Sequence, residues 1–167
     1  TVTCGNGTDA LQIALMADGI GPGDAVFVPG FTFTATAEAV LVLGARPVFC
    51  DIDPATFNLD PESLKDAVDR VRKEGKLIPR AVISVDLFGL PGDYARLVPY
   101  CDQEGLLLIA DSAQAFGAAQ GHRNVGVLGP VTTTSFFPAK PLGCFGDGGA
   151  LFTDDAQRAR LLSLSNI

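Results

Sequence analysis

Short apolar runs take turns with longer mixed runs along this chain, and that alternation limits the possible folds more than any other feature. "AVFVPG" is followed by "TAEAVLVLG", "RPVFCDID" by "DPESLKDAVDRVRKEG", and "RAVISVDLFG" by "GDYARLVPYCDQEG", after which comes "LLLIADSAQ". The first of each pair reads as a strand and the second as a helix. Parallel strands need a crossover, normally a helix, so the pattern predicts βαβ units: an α/β fold of three layers, its mostly parallel sheet covered by helices on both faces. The near-continuous apolar runs Ala81 to Val85 and Leu106 to Ile109 fit strands buried on both sides. Asp60 before Pro61 and Glu62 predicts a helix start, with Asp60 as N-cap and Pro61 in the first helical position. Further on, "VTTTSFF" and "GGALFTDD" read as strands and "DDAQRARLLSLSNI" as a helix, while "TVTCGNGTDALQIALM" passes from a strand through two glycines directly into a helix. Both ends look cut from something longer, so an incomplete domain is expected.

Composition narrows the function. With 167 residues, 47% of them hydrophobic, the chain can bury the core of one domain. Its net charge of −7 opposes a basic footprint for nucleic acid. No apolar run approaches the roughly 20 residues of a membrane span, and the first residues do not resemble a signal peptide, so a soluble cytoplasmic protein is expected. Cys4, Cys50, Cys101 and Cys144 lie more than forty residues apart and form no CxxC pair, which predicts buried free thiols. His122 is the only histidine, which rules out a histidine-rich metal site and leaves little for a Ser-His-Asp triad. Asp51 and Asp53 lack a third ligand in sequence and read as a strand end and a turn start, so no metal is expected.

Three stretches have chemical potential. In "CGNGTDAL", Gly5 and Gly7 permit a tight turn with exposed amides and Thr8 adds a hydroxyl at a helix N-terminus, a phosphate cradle; the alternative is an ordinary turn with Thr8 as N-cap. Asp111 closes the strand of "LLLIADSAQAFGA", where ligands sit in open parallel sheets, and Gln114 follows; equally, Asp111 could cap the next turn and Gln114 could be a surface amide. Lys140, in "SFFPAKPLGCFGDGGA", stands among apolar residues, where desolvation would favour a neutral, nucleophilic amine. A lysine whose head snorkels to water is the other possibility. Neither GxxxxGK[ST] nor GxGxxG is present.

Taken in order, "GNGTDAL", "GPGD", "PGFTFTATAEAV", "GARPVFCDID", "NLDPESL", "ADSAQAFGA" and "SFFPAKPLGCFGDGGA" resemble the DegT/DnrJ/EryC1/StrS family of nucleotide-sugar aminotransferases over essentially the whole chain. The resemblance implies the large domain of a fold-type I pyridoxal 5′-phosphate enzyme, spanning residues 1–167, with an N-terminal segment and a C-terminal small domain absent. By the same resemblance, Lys140 is the Schiff-base lysine and proton shuttle, and Asp111 pairs with the pyridine nitrogen. Gln114 bonds the ring hydroxyl, Phe33 stacks on the ring, and Gly7, Thr8 and Ser135 hold the phosphate. It also implies a homodimer with its site at the subunit interface, glutamate as amino donor, and a nucleotide sugar as acceptor destined for polysaccharide such as lipopolysaccharide O-antigen. The stretch around Lys140 looks most like the subgroup aminating C3 of a UDP-linked 3-keto hexose or hexuronic acid. C4 or cyclitol amination, or a non-catalytic cofactor-binding module, are the alternatives. Two positions depart from common family patterns: Phe116 stands where many members have histidine, and Asp86 where many have histidine or serine.

Overall fold

A computed structural model describes residues 1–166. The strands are β1 (Val2–Cys4), β2 (Asp24–Pro29), β3 (Arg46–Cys50), β4 (Ile78–Val85), β5 (Leu107–Asp111), β6 (Ala119–Gln120), β7 (Arg123–Asn124), β8 (Val131–Ser135) and β9 (Gly149–Phe152). The helices are α1 (Gly7–Ala17), α2 (Ala35–Val42), α3 (Pro61–Glu74), α4 (Tyr94–Glu104) and α5 (Ala156–Leu164). Seven strands form one sheet in the order β1-β9-β8-β5-β4-β2-β3. The pairs from β8 to β3 are parallel, and β9 runs against both β8 and β1. The predicted α/β architecture is therefore observed. The small β6–β7 hairpin has no signal in the sequence, because two-residue strands leave too short a pattern to detect.

Side chains on a strand alternate between faces, and here both faces are covered. On β2, Val26 and Val28 join the core under α1, α2 and α5, with Leu11, Leu15, Val40 and Leu162. Ala25 and Phe27 join the opposite core under α3 and α4, with Leu64, Val68 and Leu97. The same alternation puts Ile83 of β4 and Ile109 of β5 beneath α1, and Val82 and Leu108 beneath the other pair.

Local chemistry sets the helix starts. Asp60 accepts from Glu62 N at 3.0 Å with Pro61 opening α3, as the sequence predicts. At α1 the cap is Asn6, not Thr8: Asn6 Oδ1 accepts from Asp9 N at 2.8 Å while its Nδ2 donates to Asp9 Oδ2 at 3.0 Å. This reciprocal arrangement displaces Thr8 into the first turn. Cys50 and Cys101 are buried as expected, but Cys144 is exposed and Cys4 half-buried. Among the described residues no helix is long and apolar enough to cross a membrane.

The first turn of α1 lies directly against the end of β8. A Cβ on Gly7 would stand 2.7 Å from Ser135 Cβ and 3.3 Å from Ser135 Oγ, closer than atoms can approach without displacement. Gly7→Ala is therefore expected to push α1 off β8 and destabilise the fold by about 1–3 kcal/mol, measured by chemical denaturation.

Candidate active site

The parallel strands end at one edge of the sheet, and α1 begins there too. Between them lies a cavity of about 590 Å³. Its lining includes Gly7 and Thr8 from α1, Phe33 after β2, Asp111 and Gln114 at and after β5, and Ser135 and Lys140 at and after β8. All seven residues selected from the sequence thus meet around one space. The cavity is also lined by Asn6, Asp9, Thr32, Val85 and Asp147, which the sequence reading did not select. Asn6 and Asp9 were detectable, since Asn followed three positions later by an acid is a helix-start signature; the others had no local signal.

Each contributor has a physical reason for its position. Gly7 and Thr8 occupy the first turn of α1, whose N–H groups have no intrahelical acceptors and carry the positive end of the helix dipole. Ser135 is buried, and its Oγ accepts from Phe137 N at 3.2 Å, which leaves the hydroxyl proton for another partner. Lys140 closes a turn: its N–H donates to Phe137 O at 2.8 Å, and Pro138 holds the position after Phe137 where fixed φ favours a turn. Phe136 N donates to Gly148 O at 2.7 Å and Cys144 N to Phe136 O at 2.8 Å, so the loop carrying the lysine is tied back on itself. The proline and glycines around Lys140 therefore shape its loop. Lys140 is half-buried, and its Nζ stands 6.0 Å from the centre of the exposed Phe33 ring.

Asp111 and Gln114 are anchored at one end and open at the other. Asp111 is buried and accepts one backbone bond, from Ala113 N at 3.1 Å. Burial pushes its carboxyl up to about 6; the Ala113 N–H and the Lys140 charge oppose the rise, and the Asp86 charge adds to it. A carboxylate in this state is short of a cation, and a protonated ring nitrogen in the cavity would supply one. Gln114 Oε1 accepts from Phe88 N at 2.9 Å, so the amide nitrogen is the end left to donate. Free amides, an aromatic face, an amide donor, an unbalanced carboxylate and a primary amine together suit a flat, phosphorylated aromatic aldehyde with a basic ring nitrogen.

The two departures from the family pattern lie away from the cavity lining. Asp86 is fully buried, and its carboxylate accepts from Gly92 N at 2.9 Å, from the Tyr94 hydroxyl at 2.6 Å and from the Ser112 hydroxyl. Phe116 packs its ring against Phe136 and Phe152, with centroids 5.9 and 6.2 Å away.

Residues 1–166 match the DegT/DnrJ/EryC1/StrS aminotransferase family. The chain belongs to that family. It is 49% identical over 158 residues to the UDP-2-acetamido-2-deoxy-3-oxo-D-glucuronate aminotransferase of Pseudomonas aeruginosa, covering 95% of this chain and 42% of that protein. It is 45% identical over 161 residues to the UDP-N-acetyl-3-dehydro-alpha-D-glucosamine 3-aminotransferase of Acidithiobacillus ferrooxidans, covering 96% of this chain and 42% of that one. A crystal structure of a DegT/DnrJ/EryC1/StrS aminotransferase from Brucella abortus superposes with a TM-score of 0.95 at 54% identity, over 96% of this chain and 43% of that one. The chain thus spans about two fifths of the length of the relatives it matches.

The raised carboxyl of Asp111 makes a pH prediction. Between its ordinary value of 3.8 and about 6 the folded state holds a proton that the unfolded chain has lost, so stability falls as pH rises through this window. In the cofactor-free protein, Asp111→Asn should remove that loss and be more stable than the parent above pH 6 by up to about 3 kcal/mol. The gain should vanish below pH 4, as read from denaturation midpoints across the pH range.

Proposed function

We propose that the intact protein is a pyridoxal 5′-phosphate-dependent aminotransferase that moves an amino group from glutamate to C3 of a UDP-linked 3-keto hexose or hexuronic acid. The observation carrying this reading is the convergence of Lys140, Asp111, Gln114, Phe33, Ser135, Gly7 and Thr8 on one cavity in a member of this family. The 3-oxo and 3-dehydro sugar nucleotides named for two relatives at 49% and 45% identity support the position of amination. Residues 1–167 would be part of the large domain. The rest of the subunit and a second copy of the chain would complete the site in a cytoplasmic homodimer that supplies amino sugars for polysaccharide such as O-antigen.

When bound, pyridoxal 5′-phosphate supplies an aldehyde that condenses with amines and a ring that withdraws electrons from the amine-bearing carbon. The side chains then have distinct tasks. Lys140 Nζ would hold the aldehyde end of the cofactor and, as a free amine, would carry a proton as the general base. The Asp111 carboxylate would keep a proton on the ring nitrogen and gain a nearby counter-charge. Gln114 Nε2 would be the donor offered to a ring oxygen, and the Phe33 ring would shield the bound ring from water. The Gly7 and Thr8 amides, with the hydroxyls of Thr8 and Ser135, hold the phosphate.

Full-length protein should show the absorbance band of a lysine-bound cofactor, and added glutamate should replace it with that of the pyridoxamine form. Borohydride followed by mass spectrometry should find the label on Lys140, and Lys140→Ala should lose band and turnover together. A Lys140→Ala protein that still transaminates would overturn the mechanism; amination of the keto-sugar at C4 would overturn the substrate assignment.

A further inference from the structure

Positive φ is unfavourable for a residue with a side chain and persists only where the surroundings enforce it. Among the described residues two non-glycine residues adopt it, Phe57 at 62° and Phe88 at 56°. They lie on different loops, one after β3 and one after β4, yet their rings meet edge to face with centroids 6.3 Å apart. The residue that joins the two loops is the neighbour of Phe57. Asn58 is buried, with 4% of its surface exposed. Its Oδ1 accepts from Leu87 N at 3.1 Å, and its Nδ2 donates to Leu90 O at 2.9 Å and Pro91 O at 3.3 Å. One amide therefore grips the chain on both sides of Phe88. Asp86 secures the same turn from its other flank by accepting from Gly92 N.

What this clamp achieves is a direction. With Phe88 held at positive φ, its N–H is aimed at Gln114 Oε1, 2.9 Å away. An N–H can only donate, so this contact decides which end of the Gln114 amide faces away from it, and Gln114 lines the cavity. Were the turn to relax, the amide would lose the partner that distinguishes its oxygen from its nitrogen, and it could present an acceptor to a ligand oxygen. We infer that Asn58, which does not line the cavity, is a positioning residue that acts through the Leu87–Leu90 turn and the Phe88 N–H to keep the donor end of Gln114 toward the cofactor. This rests on the role given to Gln114 in the proposed function.

A double-mutant cycle in the full-length protein tests the inference. Asn58→Ala and Gln114→Ala should each weaken pyridoxal 5′-phosphate binding about tenfold, measured by absorbance titration. Asn58→Ala made in the Gln114→Ala background should weaken it by less than about twofold more, because the path is already broken. In the cofactor-free protein, hydrogen exchange at the Phe88 amide should be slow in the parent and faster in Asn58→Ala. If the alanine variant does not fold, Asn58→Asp serves instead, since it preserves size and the Leu87 contact but turns an acceptor toward two carbonyls. A folded Asn58 variant with parental affinity, or losses that multiply in the double variant, would overturn the inference while leaving the aminotransferase reading intact. Absence of the lysine-bound band from the unsubstituted protein would overturn both.

Discussion

Two carboxylates lie out of water at the carboxyl edge of the sheet, and the difference in how they are satisfied organises the region around them. Asp86 accepts from a backbone amide and two hydroxyls, so its charge is spread over protein donors and it serves the fold. Asp111 sits one strand away, its carbonyl accepting from Asp86 N at 2.9 Å, but its carboxylate receives one backbone bond and otherwise faces the cavity. Burial, with the Asp86 charge adding to it, keeps the Asp111 carboxyl raised. A charge left this way is tolerable where a ligand can balance it, and the stability withheld from the empty protein would become affinity for a cationic group placed there.

Topology explains how residues so far apart in sequence reach one cavity. Parallel strands joined by helical crossovers present their carboxyl ends on one edge, so the residues after β2, β5 and β8 become neighbours. The N-terminus of α1 reaches the same edge because Gly7 lets the backbone touch Ser135. The first-turn amides of α1, the Asp111 carboxylate and the Lys140 amine therefore meet from three separate stretches. The reversed strand β9 lets the chain turn back immediately after the lysine loop, closing it with backbone bonds at both ends.

The family departures gain a physical meaning in this setting. Phe116 completes an aromatic group with Phe136 and Phe152 beside the base of the lysine loop. Asp86 belongs to a polar network that, with Asn58, holds the turn bearing Phe88. The region around the cavity thus has a supporting layer of buried polar side chains, and pre-organisation of this kind sets the direction of hydrogen-bond donors before a ligand arrives.

Much of this protein was legible in its sequence because the signals are local. Alternating run lengths specify strands and helices, Asp60 and Pro61 start a helix through their own backbone preferences, and the family resemblance carried by short motifs points to residues 7, 8, 33, 111, 114, 135 and 140, which line one cavity. Other features depended on contacts made only after folding. The order of strands, the choice of Asn6 over Thr8 as cap, the exposure of Cys144, and the structural use of Asp86 and Asn58 all follow from which distant segments pack together. A residue's type states which bonds it can make; which partner lies within 3 Å, and whether water is excluded there, is decided by the tertiary fold.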